Sequence, residues 1–295
     1  MKFYQLVLVV VLSCLTAFST SYFMSNKTEN TSAEKETRWE QVKKRGTLRC
    51  GYFVWPPFVV KDPNTGKMQG SLVEIAEEMG KQMDLKVTWT EEIDFAHMFS
   101  GYNRYDMICG PITQNGLRAR ETDFTVPLAY GGLYAFVRKD DNRFNDNVKA
   151  INDEKVRISM IDGEYSSILA SELFPKAQTV PVSQLASGAQ MILQVSTGKA
   201  DIAITDVFSA QAFIDNNPDK IKMASKTPLR VFSFSFPLPP NELSFKAAVN
   251  ATLTNMNETG FLDKMYSKAE KGIAKLFRLA LPYDASVVSS SGSGQ

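Results

Sequence analysis

Residues 105–113, Tyr-Asp-Met-Ile-Cys-Gly-Pro-Ile-Thr, followed at 118–125 by Arg-Ala-Arg-Glu-Thr-Asp-Phe-Thr, decide the fold of this 295-residue chain. Met107, Ile108 and Cys109 form a short apolar run that Gly110 and Pro111 stop, as a buried strand stops where it leaves its sheet. Thr113 and Arg118 then place a hydroxyl and a guanidinium beyond the strand's carboxyl end. Two other stretches have the same plan. Upstream, Gly51-Tyr52-Phe53-Val54-Trp55-Pro56-Pro57-Phe58 closes a β run at 47–52, and its prolines demand an extended loop. Downstream, Gly198-Lys199-Ala200-Asp201-Ile202-Ala203-Ile204-Thr205-Asp206 is an apolar run that ends on an acid.

Between these stretches, strand and helix patterns alternate. A short helix at 39–44 is ended by Gly46. In the helix at 71–83, Leu72, Ile75, Ala76, Met79 and Met83 share one stripe, opposite Glu77, Glu78 and Lys81. Strands are predicted at 86–89, 105–109 and 132–137. The second half continues with strand 156–160, helix 166–173, strand 179–182, helix 187–197, strand 200–205 and helix 207–216. A strand at 231–236 returns after this series, and helices at 241–255 and 260–271 close the chain. The alternation implies an α/β protein with parallel-type sheets flanked by helices and ligand sites at the carboxyl ends of the strands. Two such units with a late returning segment imply two lobes, 41–133 with 230–283 and 134–229, joined by two hinge crossovers.

Composition removes several function classes. With 33 basic against 32 acidic side chains there is no basic footprint for nucleic acid. A lone histidine, His97, offers little to histidine-based metal sites or triads, and no cofactor or metal motif is present. Lys2, an uncharged apolar run at 3–18 and small residues at 19–21 describe a secretory signal. The uncharged stretch extends to Ser25, so an uncleaved anchor is the alternative for 1–25. Leu12 and the apolar residues beyond make Cys14 a poor lipoprotein site. Residues 26–40 read as a flexible leader, and 284–295, rich in Ser and Gly, as a disordered tail. Export places Cys50 and Cys109 in an oxidising compartment. Each ends an apolar run before a glycine, and two small buried thiols are expected there.

In their order and spacing, from about residue 47 to about 268, these segments resemble the periplasmic amino-acid-binding proteins of ABC transporters (solute-binding protein family 3, type II periplasmic binding fold). The elements that carry the resemblance are Gly51 with Trp55-Pro56-Pro57-Phe58, then Tyr105-Asp106 with its apolar strand, Thr113, Arg118 and Asp123-Phe124-Thr125. Gly198-Lys199, Asp201, the next apolar strand and Thr205-Asp206 complete the set. The resemblance implies that Arg118 grips a ligand α-carboxylate, for which its planar donor fork is suited. Thr113 would assist, and Pro111 would offer its carbonyl to the ligand ammonium. Asp206 would pair with that ammonium, although an acid between strand and helix is also a good N-cap. The loop at 162–167 would give backbone N–H groups of Tyr165 and Ser166 to the carboxylate.

Phe53 stands where members selective for basic ligands carry an acid. Together with Trp55 and Phe95 it implies walls for an apolar or aromatic side chain. Phe58 is expected in the core and His97 at the surface. The implied function is that of a monomeric exported protein that closes by a hinge around an amino acid and delivers it to an ABC transporter permease. Two alternatives come from other classes. One is a dehydratase-like enzyme on the same fold acting on a small carboxylic acid, with Glu164 and Asp206 as acid–base candidates. The other is a membrane-anchored sensor module.

Overall fold

The computed structural model describes residues 36–183 and 186–279, with 4, 13 and 15–21 of the N-terminal segment. The signal or anchor at 1–25 and the leader at 26–40 lie largely outside the described residues, and the tail at 284–295 lies wholly outside them. Among the described residues no helix is long and apolar enough to cross a membrane.

Helix α1 (Arg38–Arg45) begins at a capping box between Thr37 and Glu40 and stops at Gly46, whose φ of 63° suits glycine. Strand β1 (Thr47–Tyr52) follows, then a tight loop with a cis Pro56–Pro57 bond and a small hairpin of β2 (Val60–Lys61) and β3 (Met68–Gln69). Helix α2 (Ser71–Gln82) buries Leu72, Ile75, Ala76 and Met79, the predicted stripe, and Met83 lies just past its end. Strands β4 (Lys86–Glu92) and β5 (Met107–Ile108) flank β1 in the order β4-β1-β5, parallel throughout. Fully buried Leu48, Leu72 and Ile75 fix the helix on this sheet, each contributing about 1.5–3 kcal/mol.

After β6 (Asp123–Phe124) the chain enters a second sheet. Its elements are β7 (Ala129–Arg138), β8 (Arg157–Ile161), α3 (Tyr165–Leu173), β9 (Gln178–Val182), α4 (Gly188–Ser196), β10 (Ile202–Asp206), α5 (Val207–Asn216), β11 (Ile221–Met223) and β12 (Arg230–Phe234). The order is β11-β7-β10-β8-β9, with β12 also on β7. Strands β8, β9 and β10 are parallel, but β7 runs antiparallel to β10, β11 and β12. The second sheet is therefore mixed rather than purely parallel. Strand β7 enters from the end at which β10 leaves, as the register Asp206 to Leu133 requires.

The chain returns through β13 (Pro237–Leu238), which pairs with β6, and ends in α6 (Leu243–Glu258) and α7 (Phe261–Ala269) on the first unit. The two crossings lie side by side. Thr125 N–H donates to Phe236 O at 3.0 Å and Leu128 N–H to Phe234 O at 2.7 Å. Gln114 Nε2 spans them, donating to Thr125 O (3.0 Å) and Ser235 Oγ (2.7 Å). Beyond α7 the chain crosses once more. Lys271 pairs with Asp215 at 2.9 Å, Ile273 N–H donates to Gln211 Oε1, and Phe277 bridges to Tyr130.

Both units lock their strands with the same device. Asp106, fully buried before β5, accepts from the Arg49 N–H and guanidinium at 2.9 Å and pairs with Arg45. Asp201, buried before β10, accepts from the Arg157 N–H and Nε at 3.0 Å and from Arg143 at 2.8 Å. One expectation fails: Cys50 and Cys109 form a disulfide rather than two thiols. The register sets Cys50 beside Met107, so Cys109 lands across the strand pair with its Cα 5.3 Å from that of Cys50, within bridging range.

Candidate functional site

A cavity of about 680 Å3, counted to its open mouth, lies between the two sheets. Its walls are the loops and helix starts that follow strand ends, the place where open α/β sheets present ligand sites. From the first unit come Phe53 and Trp55 after β1, Phe95 after β4, and Pro111, Thr113 and Arg118 after β5. From the second come Glu164 and Tyr165 at the head of α3, Ser187 at the head of α4, and Thr205, Asp206 and Ser209 around the β10–α5 junction. Of the nine residues expected at the site, eight line this cavity. Ser166 is the exception: it is buried, and its N–H (3.0 Å) and Oγ both donate to Glu164 Oε2.

Arg118 opens a single helical turn, Arg118–Arg120, where Asn115 Oδ1 accepts its backbone N–H at 2.9 Å. Its side chain is 7% exposed. Nη1 donates to Thr113 O at 3.1 Å, and Nη2 reaches across the cleft to Gly163 O at 3.0 Å. Burial draws the guanidinium below its ordinary pKa, opposed by the nearby Glu164 and Tyr165. With five donors and two protein acceptors, the fork retains N–H groups for an anion.

Asp206 caps α5. Its Oδ1 accepts from Phe208 N–H (2.8 Å) and Ser209 N–H (2.9 Å), and Oδ2 from Ser209 Oγ (2.7 Å) and Thr205 Oγ1 (3.5 Å). The cap fixes the carboxylate at the cleft, so both expected roles can coexist. Glu164 caps α3 in a similar way, through Oε2 alone. Burial raises its pKa and the Asp206 charge adds to this, while its Ser166 bonds and Arg118 oppose it.

Phe53 tilts against Phe95 with ring centroids 5.1 Å apart, and it lies so close to Gly110 that a Cβ there would stand 2.6 Å from the ring. Trp55 packs on Phe58 (4.4 Å) and Phe234 (5.2 Å). Phe58 is fully buried, as expected, and His97 is exposed, bonded to Asp94 at 3.0 Å. Gly163, at φ 78°, lies against the first unit, where a Cβ would stand 3.2 Å from Phe95 O. With the Arg118–Gly163 bond, this brings the two walls into direct contact.

Sequence reasoning did not include Ser187, Thr205, Ser209 and Phe232 among the lining residues, and it named Glu164 only as an acid–base candidate. Ser187 was within reach, since it starts a helix after a strand, and Thr205 and Ser209 flank Asp206. Phe232 carries no such signal: it arrives on β12, far along the chain from the strand-end motifs.

A family profile for bacterial extracellular solute-binding proteins, family 3, matches residues 48–270. The L-cystine-binding protein TcyA of Bacillus subtilis (strain 168) is 27% identical over 238 residues, covering 78% of this chain and 83% of the relative. The crystal structure of the ancestral amino acid-binding protein AncCDT-1, a precursor of cyclohexadienyl dehydratase, superposes with a TM-score of 0.71 at 24% identity, covering 80% of this chain and all of that one. The cysteine-binding protein of Campylobacter jejuni superposes with a TM-score of 0.70 at 20% identity, covering 81% and 95%. With its type II periplasmic binding fold and a match over most of its length, this chain belongs to family 3 of the bacterial extracellular solute-binding proteins, the amino-acid-binding proteins of ABC transporters.

Proposed function

We propose that this protein captures an amino acid with an apolar or aromatic side chain by hinge closure and delivers it to an ABC transporter permease. The observation that carries this reading is the buried Arg118 guanidinium, with donors to spare, in one cavity with the capped carboxylate of Asp206. The α-carboxylate would sit on Arg118 beside Thr113, and the ammonium on Asp206 and the Pro111 carbonyl. The side chain would lie against Phe53, Trp55 and Phe95, a wall with no acid to meet a charged terminus. The lobes 41–133 with 230–283 and 134–229 would close about the paired crossings at 125–128 and 234–236. The protein would act as an exported monomer, with 1–25 as its signal segment.

A thermal-shift panel of the twenty amino acids and L-cystine on ligand-stripped protein tests this. Cystine belongs in it because TcyA is named for it and its central disulfide is apolar. A raised Tm with one or a few apolar or aromatic members supports the proposal, and a response only to basic or acidic members contradicts its selectivity. Glu164 beside Arg118 favours a second reading, a dehydratase-like site. Turnover of a small carboxylic acid, in place of stoichiometric binding, would establish that reading instead.

A further inference from the structure

We propose that Glu164 is itself a ligand-binding residue and is protonated in the closed site, so that an amino acid is captured together with one proton. The proposal rests on the amino-acid reading above.

The charges of the cavity motivate it. The charged groups that act on Glu164 are Arg118 from the first unit and Asp206 at the head of α5, and Tyr165 on its own helix acts on Arg118. A zwitterion brings no net charge. Arg118 balances one acid, and closure would leave the second as an uncompensated negative charge in a water-poor cleft. A proton on one carboxyl group removes that charge.

Hydrogen bonding distinguishes the two acids. Asp206 accepts from four donors spread over both oxygens, and a proton there would displace one of them. Glu164 is tied only through Oε2, by the N–H and Oγ of Ser166, and its Oε1 has no partner among the described residues. A proton on Oε1 turns this bare acceptor into a donor. The ligand group beside it that needs a donor is the carboxylate held by Arg118. Burial and the neighbouring Asp206 already raise the Glu164 pKa, and an incoming carboxylate would raise it further. No covalent step is involved: solvent supplies the proton on binding and takes it back on release.

The test is isothermal titration of L-phenylalanine, L-methionine and L-cystine into ligand-stripped wild type and Glu164→Gln at pH 8, in phosphate and in Tris. The enthalpy difference between buffers counts the protons taken up. Wild type should take up close to one proton per ligand beyond any share due to the ligand ammonium, with affinity falling by up to about tenfold per pH unit between pH 6 and 8, below the range in which that ammonium itself titrates. Glu164→Gln keeps an N–H donor at the same place with no proton to gain. It should bind at least as tightly at pH 8, with only the uptake that the ligand ammonium itself contributes and a flat profile between pH 6 and 8. Wild-type binding without proton uptake beyond the ammonium's share overturns the proposal and leaves the amino-acid reading standing. So does a folded Glu164→Gln protein whose affinity falls tenfold or more, since Glu164 would then serve as an ionised acceptor for the ammonium. Absence of binding by these three probes and by every other amino acid, in both proteins, overturns the reading and the proposal together.

Discussion

Arg118 shows how far a single residue can be read from sequence. Its place, five residues beyond Thr113 at a strand's carboxyl end, matches the arginine of the family pattern, and it is that resemblance, not the spacing alone, that implies an anion ligand. What sequence did not carry is its bond to Gly163 O, because that contact depends on how the two units meet. Asp206 was legible as a cap from its place between strand and helix and as a ligand through the resemblance, whereas Glu164 lies in the 162–167 loop, for which the resemblance implied only backbone N–H donors. Arg118→Ala should lower ligand affinity on the order of a hundredfold or more, the scale of breaking a buried charge pair. Its Tm should change little, since the lost partners are two carbonyls rather than a carboxylate. Equilibrium dialysis with circular dichroism on the same sample checks both halves. Phe53 is held between Phe95 and Gly110. Gly110→Ala should push the ring aside and change the order of affinities across an amino-acid panel while leaving the Arg118 anchor in use.

At the scale of elements, alternating strands and helices were legible because the apolar runs and stripes are strong, and α2 and β1 match their expected spans within one residue. Strand β5 is shorter than expected because the Asp106 carboxylate takes the Arg49 N–H, although Asp106 N–H and Cys109 N–H still donate to Arg49 O (2.8 Å) and Gly51 O (2.9 Å) on either side of it. Strand β7 is longer because β12 pairs with its residues Ala129 to Leu133, and its glycines are covered by rings, Gly131 by Phe232 and Phe234 and Gly132 by Tyr134. The disulfide was not legible, as it needs the β1–β5 register to bring its cysteines together. It closes a loop between positions 59 apart, for which chain entropy gives about 4 kcal/mol. Replacing both cysteines by alanine should therefore lower the denaturation midpoint clearly under oxidising conditions, and a reductant should lower wild type to a similar value. Asp106→Asn should cost about 2–3 kcal/mol by releasing the Arg49 and Arg45 guanidiniums from their shared acceptor. Urea titration gives the number, and a change below 0.5 kcal/mol would mean the clamp carries no stability.

For the whole molecule, two α/β units and a late return were legible from the order of elements alone. The antiparallel β7 and the C-terminal crossing at 271–277 were not, since both depend on contacts between distant parts of the chain. The proposed capture rests on approach of the two walls, and Gly163 sits where they touch. Gly163→Val should obstruct that approach, both by its side chain and by the φ of 78° it cannot easily adopt. Small-angle scattering should then show the same radius of gyration with and without saturating ligand, where wild type should contract. The central claim, that Arg118 anchors an amino acid in this cleft, is tested most directly by titrating ligand-stripped wild type and Arg118→Ala with the twenty amino acids and L-cystine in a calorimeter. The account predicts saturable one-to-one binding of at least one apolar or aromatic member to wild type and its loss in the variant. Equal affinity in the two proteins, or no binding of any amino acid to wild type, would contradict it.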